Sequence, residues 1–268
     1  MSRAGLDRSR LHLRLKKQDS VVTNFEDTME PTRPRYTLRG EGDQLKGGLL
    51  HALDARDVFA AGPRRTFRWH RGQRHYPGRY WSATTGSFVG YESRLELAAL
   101  LLEDFDQRVV RIASQPFELI ADRDGVQRSY VPDYMIEHRD QRFTVIEVKP
   151  RRRLEDPEIA GALEWAGEVI QSRGWGYRIV TEPDAALLSN IRFLAGYRRA
   201  WLFPPGAVEV AAACAGEART LGEAFRTAGA ALDDRPSGRA IVLHLLWSHS
   251  IHCDLTSILA SDTALETP

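Results

Sequence analysis

Apolar positions change period along the chain. From Ser93, the residues Leu95, Ala98, Ala99 and Leu102 recur at helical spacing and predict a helix. The pattern then turns strand-like. Gln107 to Ile120 predicts a strand region through Val109, Val110 and Ile112, interrupted at Gln115-Pro116-Phe117. A turn follows at Asp122 to Gly125, a second strand at Arg128 to Ile136, and a tight turn at His138 to Gln141. Phe143 to Val148 is nearly all apolar or β-branched, the signature of a central strand buried on both faces. Pro157 to Ser172 predicts a helix, Gly174-Trp175-Gly176 a break, and Tyr177 to Val180 a fourth strand. Helix, three meandering strands, helix and strand make a small α/β core.

The flanks read differently. Residues 1–45 are charged, carry Pro31 and Pro34, and show little apolar periodicity, so a flexible tail is expected there. Residues 46–61 predict one short helix at the start of a domain running to 184. Beyond Asp184 the chain is helical to Trp201, broken at Pro204-Pro205, alanine-rich and helical over 206–231, and apolar and helical over Arg239 to Ser248. Ile251 to Leu259 reads as a short hairpin or wing. Helices followed by a small hairpin point to a winged-helix-like domain over 185–268.

Composition narrows the class. At 268 residues, with 43% hydrophobic and 27% charged residues, the chain fits an ordinary soluble protein. No apolar run approaches the roughly 20 residues that span a bilayer, and the charged N-terminus lacks a signal-peptide core. Cys214 and Cys253 offer neither a disulfide framework nor zinc spacing, so a reducing cytoplasm is expected. The net charge is only +1, yet residues 64–79 hold Arg64, Arg65, Arg68, Arg71, Arg74 and Arg79 with no acid. Phe67, Trp69, Tyr76, Tyr80 and Trp81 lie among or just after them. Such a stripe suits a polyanion such as DNA. It equally suits a solvated arginine-rich loop, and composition does not decide between the two.

One spacing carries chemistry. Asp133 follows Pro132; fourteen residues on comes Glu147, and Lys149 stands two beyond it. Strand residues two apart share a face, so Glu147 and Lys149 point the same way and Val148 the other. Asp133 and Glu147 offer hard oxygen ligands for Mg²⁺, with Mn²⁺ able to substitute, and the Val148 carbonyl offers another. Lys149 is placed to serve an attacking water, and together these parts suit phosphodiester hydrolysis. A Pro-Asp turn or a Glu-x-Lys strand pair alone would be ordinary; their occurrence on consecutive strands is not. A third carboxylate is expected from Glu96, with Glu92 as its rival, although Ser93-x-x-Glu96 is also a helix capping box. No phosphate-cradling glycine loop is present. His244, His249, His252 and Cys253 fit no zinc spacing.

SRLEL at Ser93 to Leu97, QPF at Gln115 to Phe117, VPDY and IEVKP together resemble the TnsA-like endonucleases, subunits of heteromeric transposases. The resemblance implies a restriction-endonuclease-like core, a mixed central sheet flanked by helices, of the PD-(D/E)xK kind, followed by a helical, winged-helix-like domain. It implies a bacterial, metal-dependent DNA endonuclease that cuts the 5′ ends of a transposon in cut-and-paste transposition. Double-stranded DNA, an integrase-type transposase subunit and an AAA+ ATPase regulator are the partners it implies. It maps the family's acidic and lysine positions onto Glu96, Asp133, Glu147 and Lys149, and sets Gln115 beside the metal. A stand-alone nuclease of the same fold and a non-catalytic DNA-binding assembly subunit are the alternatives.

Overall fold

The computed structural model describes residues 33–65 and 76–266. Two strands open the chain, β1 (Arg35–Arg39) and β2 (Leu45–Leu49), followed by the short helix α1 (Ala55–Ala60). Next come β3 (Gly78–Ser82), β4 (Ser87–Tyr91) and α2 (Arg94–Phe105). Five strands succeed one another: β5 (Val109–Ser114), β6 (Glu118–Arg123), β7 (Val126–Tyr130), β8 (Tyr134–His138) and β9 (Phe143–Val148). Helix α3 (Pro157–Ser172) leads to β10 (Gly176–Val180). Four helices follow, α4 (Ala185–Leu194), α5 (Pro205–Glu217), α6 (Leu221–Ala231) and α7 (Arg235–Trp247), then two short strands, β11 (His252–Cys253) and β12 (Leu265–Glu266).

The strands form two four-stranded sheets, one ordered β2-β1-β6-β7 and antiparallel throughout, the other β10-β9-β8-β5. In the second sheet β5, β8 and β9 are antiparallel, whereas β10 runs parallel to β9 after the α3 crossover. The architecture is thus mixed α/β. After β5 the chain passes directly between the sheets twice, and proline marks each of these passages. The β5–β6 strand region breaks at Gln115-Pro116, as expected. The run expected as one strand over Arg128 to Ile136 is in fact β7 and β8, in different sheets, split at Val131-Pro132-Asp133. Pro132 has no N–H to give to a ladder. The two passages are tied together: the Gln115 N–H donates to the Asp133 carbonyl at 2.8 Å.

Alternation along the second sheet feeds two cores. Tyr134, Ile136, Ile146 and Val148 face one, with α2 and α4 to α7. Met135 and Val145 face the other, beneath Phe117, Leu119, Ile170 and Trp175. β9 is therefore buried on both faces, as its composition predicts. The first core also holds Ile191, Leu194, Ala228, Val242 and Trp247, so packing is continuous across residue 184. At the other end, β1 and β2 occupy ground expected as tail and helix. Leu38 is buried in the second core and Thr37 Oγ1 donates to Glu118 Oε2 at 3.0 Å, so residues from Arg35 on are sheet rather than tail. Residues 1–32 lie outside the described residues.

The helices start where their caps stand. Ser93, Asp156, Asp184, Thr220 and Asp234 each accept a bond from a first-turn N–H. The alanine-rich stretch expected as one helical region is divided by the Thr220 cap. His252–Cys253 pairs with Leu265–Glu266, so the expected wing closes on the far C-terminus and not within Ile251 to Leu259. Among the described residues, no helix is long and apolar enough to cross a membrane.

A buried carboxylate locks the β3–β4 hairpin onto α2. Leu97, Leu100, Leu101 and Asp104 fall at the spacing of one helix face, and Asp104 is 4% exposed. It accepts from Tyr80 Oη at 2.7 Å, Ser82 Oγ at 2.5 Å, Ala83 N at 3.1 Å and Thr84 N at 2.9 Å. An acid on an apolar stripe signals such a partnered site, because a buried charge without donors is too costly to keep.

Candidate active site

Asp133 stands at the second passage between sheets, and Glu147 and Lys149 at the end of the neighbouring strand. Glu147 is only 2% exposed. It shares the face of Val145, under the second core, as the strand parity requires. Lys149 bonds Glu147 Oε1, and Tyr130 Oη donates to Glu147 Oε2 at 2.7 Å. Tyr177 Oη lies 3.2 Å from Tyr130 Oη, extending the chain of hydroxyls to β10. Asp133 Oδ2 accepts from the Val148 N–H at 2.7 Å, which fixes the two strands' ends against each other.

Glu96 approaches from the first turn of α2. Its carboxylate accepts from the Glu92 N–H at 2.7 Å, while its own N–H donates to Ser93 Oγ at 3.1 Å. The serine half of the expected capping box is made, but the carboxylate passes the Ser93 N–H and bonds that of Glu92 instead. Glu96 is at the same time close enough to Asp133 and Lys149 to act on their charge. The two readings of this residue coexist in one geometry.

The electrostatics follow from the crowding. Burial, then the charges of Glu147 and Glu96, push the Asp133 carboxyl well above the usual carboxylate range, against the pull of Lys149 and the Val148 N–H. Glu96 is raised by burial, although the Glu92 N–H and Ser93 oppose it. Burial alone would depress Lys149, but the charges of Glu147 and Asp133 outweigh it and hold the ammonium above its ordinary value. Burial and the Glu147 charge keep Tyr130 neutral, as a donor. The crowding pushes Asp133 and Glu96 toward their neutral forms, and a hard divalent cation would favour the ionised carboxylates. In kind and charge the donors fit such an ion. Among the described residues, however, no three His, Cys, Asp or Glu groups are drawn together into a ready-made cage. The oxygens face protein donors.

Gln115 sits next to Asp133 through its backbone but turns its side chain elsewhere. Its Oε1 accepts from the Arg65 N–H at 3.1 Å, and its carbonyl from the Arg64 N–H at 2.9 Å. It holds φ +45° immediately before Pro116, a strained conformation kept by this set of bonds. Gln115 thus pins the start of the basic segment to the passage that carries Asp133. Of the six arginines, Arg64 is committed within the fold: its Nη2 lies 2.6 Å from Glu118 Oε2, and its Nε donates to Thr37 Oγ1 at 3.1 Å. That makes it an anchor and not a free DNA contact. Arg65 and Arg79 are exposed; Arg68, Arg71 and Arg74 lie outside the described residues.

Sequence reasoning missed Tyr130 and Tyr177, whose only signal is β-propensity. His244 and His249 are occupied by backbone, through Nδ1 to the Tyr197 carbonyl at 2.8 Å and Nε2 to the Phe105 carbonyl at 2.7 Å. Comparison with protein families matches residues 106–182 to the TnsA-like endonuclease N-terminal description. The match takes in Gln115, Tyr130, Asp133, Glu147, Lys149 and Tyr177, and begins after Glu96 and the β3–β4 hairpin. No curated protein matched the chain.

Proposed function

On the premise that residues 106–182 are a TnsA-like endonuclease domain, we propose that this protein is a Mg²⁺-dependent DNA endonuclease acting as a subunit of a heteromeric transposase, with a core of the PD-(D/E)xK kind. It hydrolyses phosphodiesters at the 5′ ends of a transposon. The observation that supports the reading is Asp133, bonded to the Val148 N–H, beside the Glu147–Lys149 pair at the end of β9, all inside the matched segment. When bound, a divalent cation would supply Lewis acidity for the phosphodiester and the water. Asp133, Glu147 and the Val148 carbonyl would hold it, with Glu96 assisting. Tyr130 keeps Glu147 aimed, and the Val148 N–H does the same for Asp133. Lys149, kept charged by its neighbours, orients the water and faces the negative charge that develops on the phosphate.

Exposed Arg65 and Arg79, with Arg68, Arg71 and Arg74, would contact the DNA backbone. Helices α5 to α7 with the β11–β12 pair would form a winged-helix-like module that docks an AAA+ ATPase regulator. The integrase-type transposase subunit would cut and join the 3′ ends. What supports this assembly is the family alone. The test is a nicking assay on a labelled transposon end, with and without the transposase subunit. Asp133→Ala and Lys149→Ala should each abolish 5′-end nicking and leave subunit binding intact. Undiminished nicking by both would sink the assignment, and full activity without the partner would mark a stand-alone nuclease.

A further inference from the structure

Two stretches of this chain contain no acid. One runs from Arg64 to Tyr91 and the other from Ala185 to Val208, in a protein with 36 Asp and Glu residues among 268. They are far apart in sequence, and the fold brings them together. Arg198 makes the join: its Nε donates to the Trp81 carbonyl at 2.8 Å, and its guanidinium lies 4.6 Å from the centre of the Tyr80 ring. At the seam, Trp81 meets Phe88 edge-on at 5.3 Å and Trp201 edge-on at 5.6 Å.

This seam opens to solvent. Trp201 is 64% exposed, Leu202 57% and Phe88 55%. Arg79 lies over the Phe88 ring at 5.5 Å, and Arg199 is 5.9 Å from the Trp201 ring centre. Large apolar rings left in water beside guanidiniums that have no ion pair among the described residues mark a binding surface. The choice of occupant follows from charge. A protein partner would be met by a rim of both signs, whereas both segments that build this face carry only positive charge. Aromatic rings interleaved with arginines, on a ground free of acids, suit a nucleic acid strand. The rings stack on bases and the guanidiniums meet phosphates. Rings reach base faces only where bases are unstacked, so the strand must be unpaired or flared there.

Position relates the face to the reaction centre. Phe88 and Glu92 lie on one extended segment four residues apart, a span of at most roughly 13 Å at strand rise. The Glu92 N–H holds Glu96.

We propose that Phe88, Trp201 and Leu202, flanked by Arg79 and Arg199, form a stacking platform that holds an unpaired stretch of DNA beside the nuclease site. The proposal rests on DNA being the substrate, but its test does not require cleavage. Binding of the full chain to a fluorescein-labelled 20-nucleotide single strand and to the matching duplex is measured by anisotropy in EDTA, where hydrolysis is off. Trp201→Ala and Phe88→Ala should each weaken single-strand binding by about 5- to 100-fold per lost stacking contact. Both should change duplex binding much less, and Trp201→Phe should restore most of the loss. Binding is read with hydrolysis off, so a failed nicking assay leaves this result standing, and failure of the nuclease reading and failure of the platform give different results. Both residues are exposed, so circular dichroism and melting should be unchanged. Single-strand affinity unaltered in both alanine variants would overturn the proposal and assign the face to a protein partner. An equal loss on duplex and single strand would overturn it too, leaving a general electrostatic contact.

Discussion

Gly167, on the buried side of α3, decides whether Tyr177 can reach the site. A Cβ built on Gly167 would stand 2.7 Å from Tyr177 Cδ1 and 3.1 Å from Cε1. Ordinary carbon contacts lie at about 3.5–4.0 Å. Gly167→Ala therefore pits two effects against each other. Replacing glycine inside a helix stabilises by about 1 kcal/mol. Overpacking against a ring in a filled core costs about 1–3 kcal/mol. The ring is penned in by the β10 backbone and by its hydroxyl contact with Tyr130 at 3.2 Å, so it has little room to yield. The clash should win by about 1 kcal/mol, which lowers the melting temperature by about 2–4 °C for a chain of this size. The displaced tyrosine should also loosen Tyr130 and reduce nicking. In a Tyr177→Leu background the ring is gone, and the same substitution should become stabilising, a coupling that a double-mutant cycle reads directly. A melting temperature raised by Gly167→Ala in the wild-type background, with nicking unchanged, would show that the ring is free to move and that the contact chain from α3 to Glu147 is not rigid.

Asp104→Ala removes the acceptor of four bonds and strands buried donors, so it should destabilise by roughly 3–5 kcal/mol. A shift of the urea midpoint at constant slope measures this; a loss under about 1 kcal/mol would contradict the clamp. Glu118 should confer acid-sensitive stability. Burial raises its carboxyl, but the Ser129 hydroxyl, Arg64 and Thr37 outweigh burial and hold it below the usual range. Its contribution is full above the ordinary glutamate value of about 4.3 and is lost as the pH falls through the lower folded value. The stability gap between wild type and Glu118→Gln should accordingly narrow only on acidification below that point; a gap independent of pH would refute the assignment.

The placement of Asp133, Glu147 and Lys149 was legible because strand parity and a doubly buried β9 are written in local sequence. Asp133, Glu147 and Lys149 lie on adjacent strand ends as their spacing implies. The two sheets were not legible. Arg128 to Ile136 keeps strand character through the passage at Pro132, and period alone does not reveal a change of sheet. β1 was hidden for a related reason: RYTLR buries only Leu38 deeply, and its other side chains are half exposed, so it shows no clean alternation. Tyr130 on β7 and Tyr177 on β10 act through contacts between strands of different sheets, which no single-sequence pattern reports. Asp104 was readable in principle, as an acid at the apolar helix spacing of Leu97, Leu100 and Leu101.

The bonds of Gln115 carry a thermodynamic consequence. One residue receives the backbone of Arg64 and Arg65 and gives its own N–H to the Asp133 carbonyl. The root of the basic segment and the carboxylate strand end therefore share a single strained support. Any free energy by which a polyanion on the segment alters that support is repaid, in equal measure, by whatever ligand occupies Asp133. Substrate affinity and ion affinity are then two readings of one coupling constant, and a substitution at Gln115 that touches neither ligand would change both together.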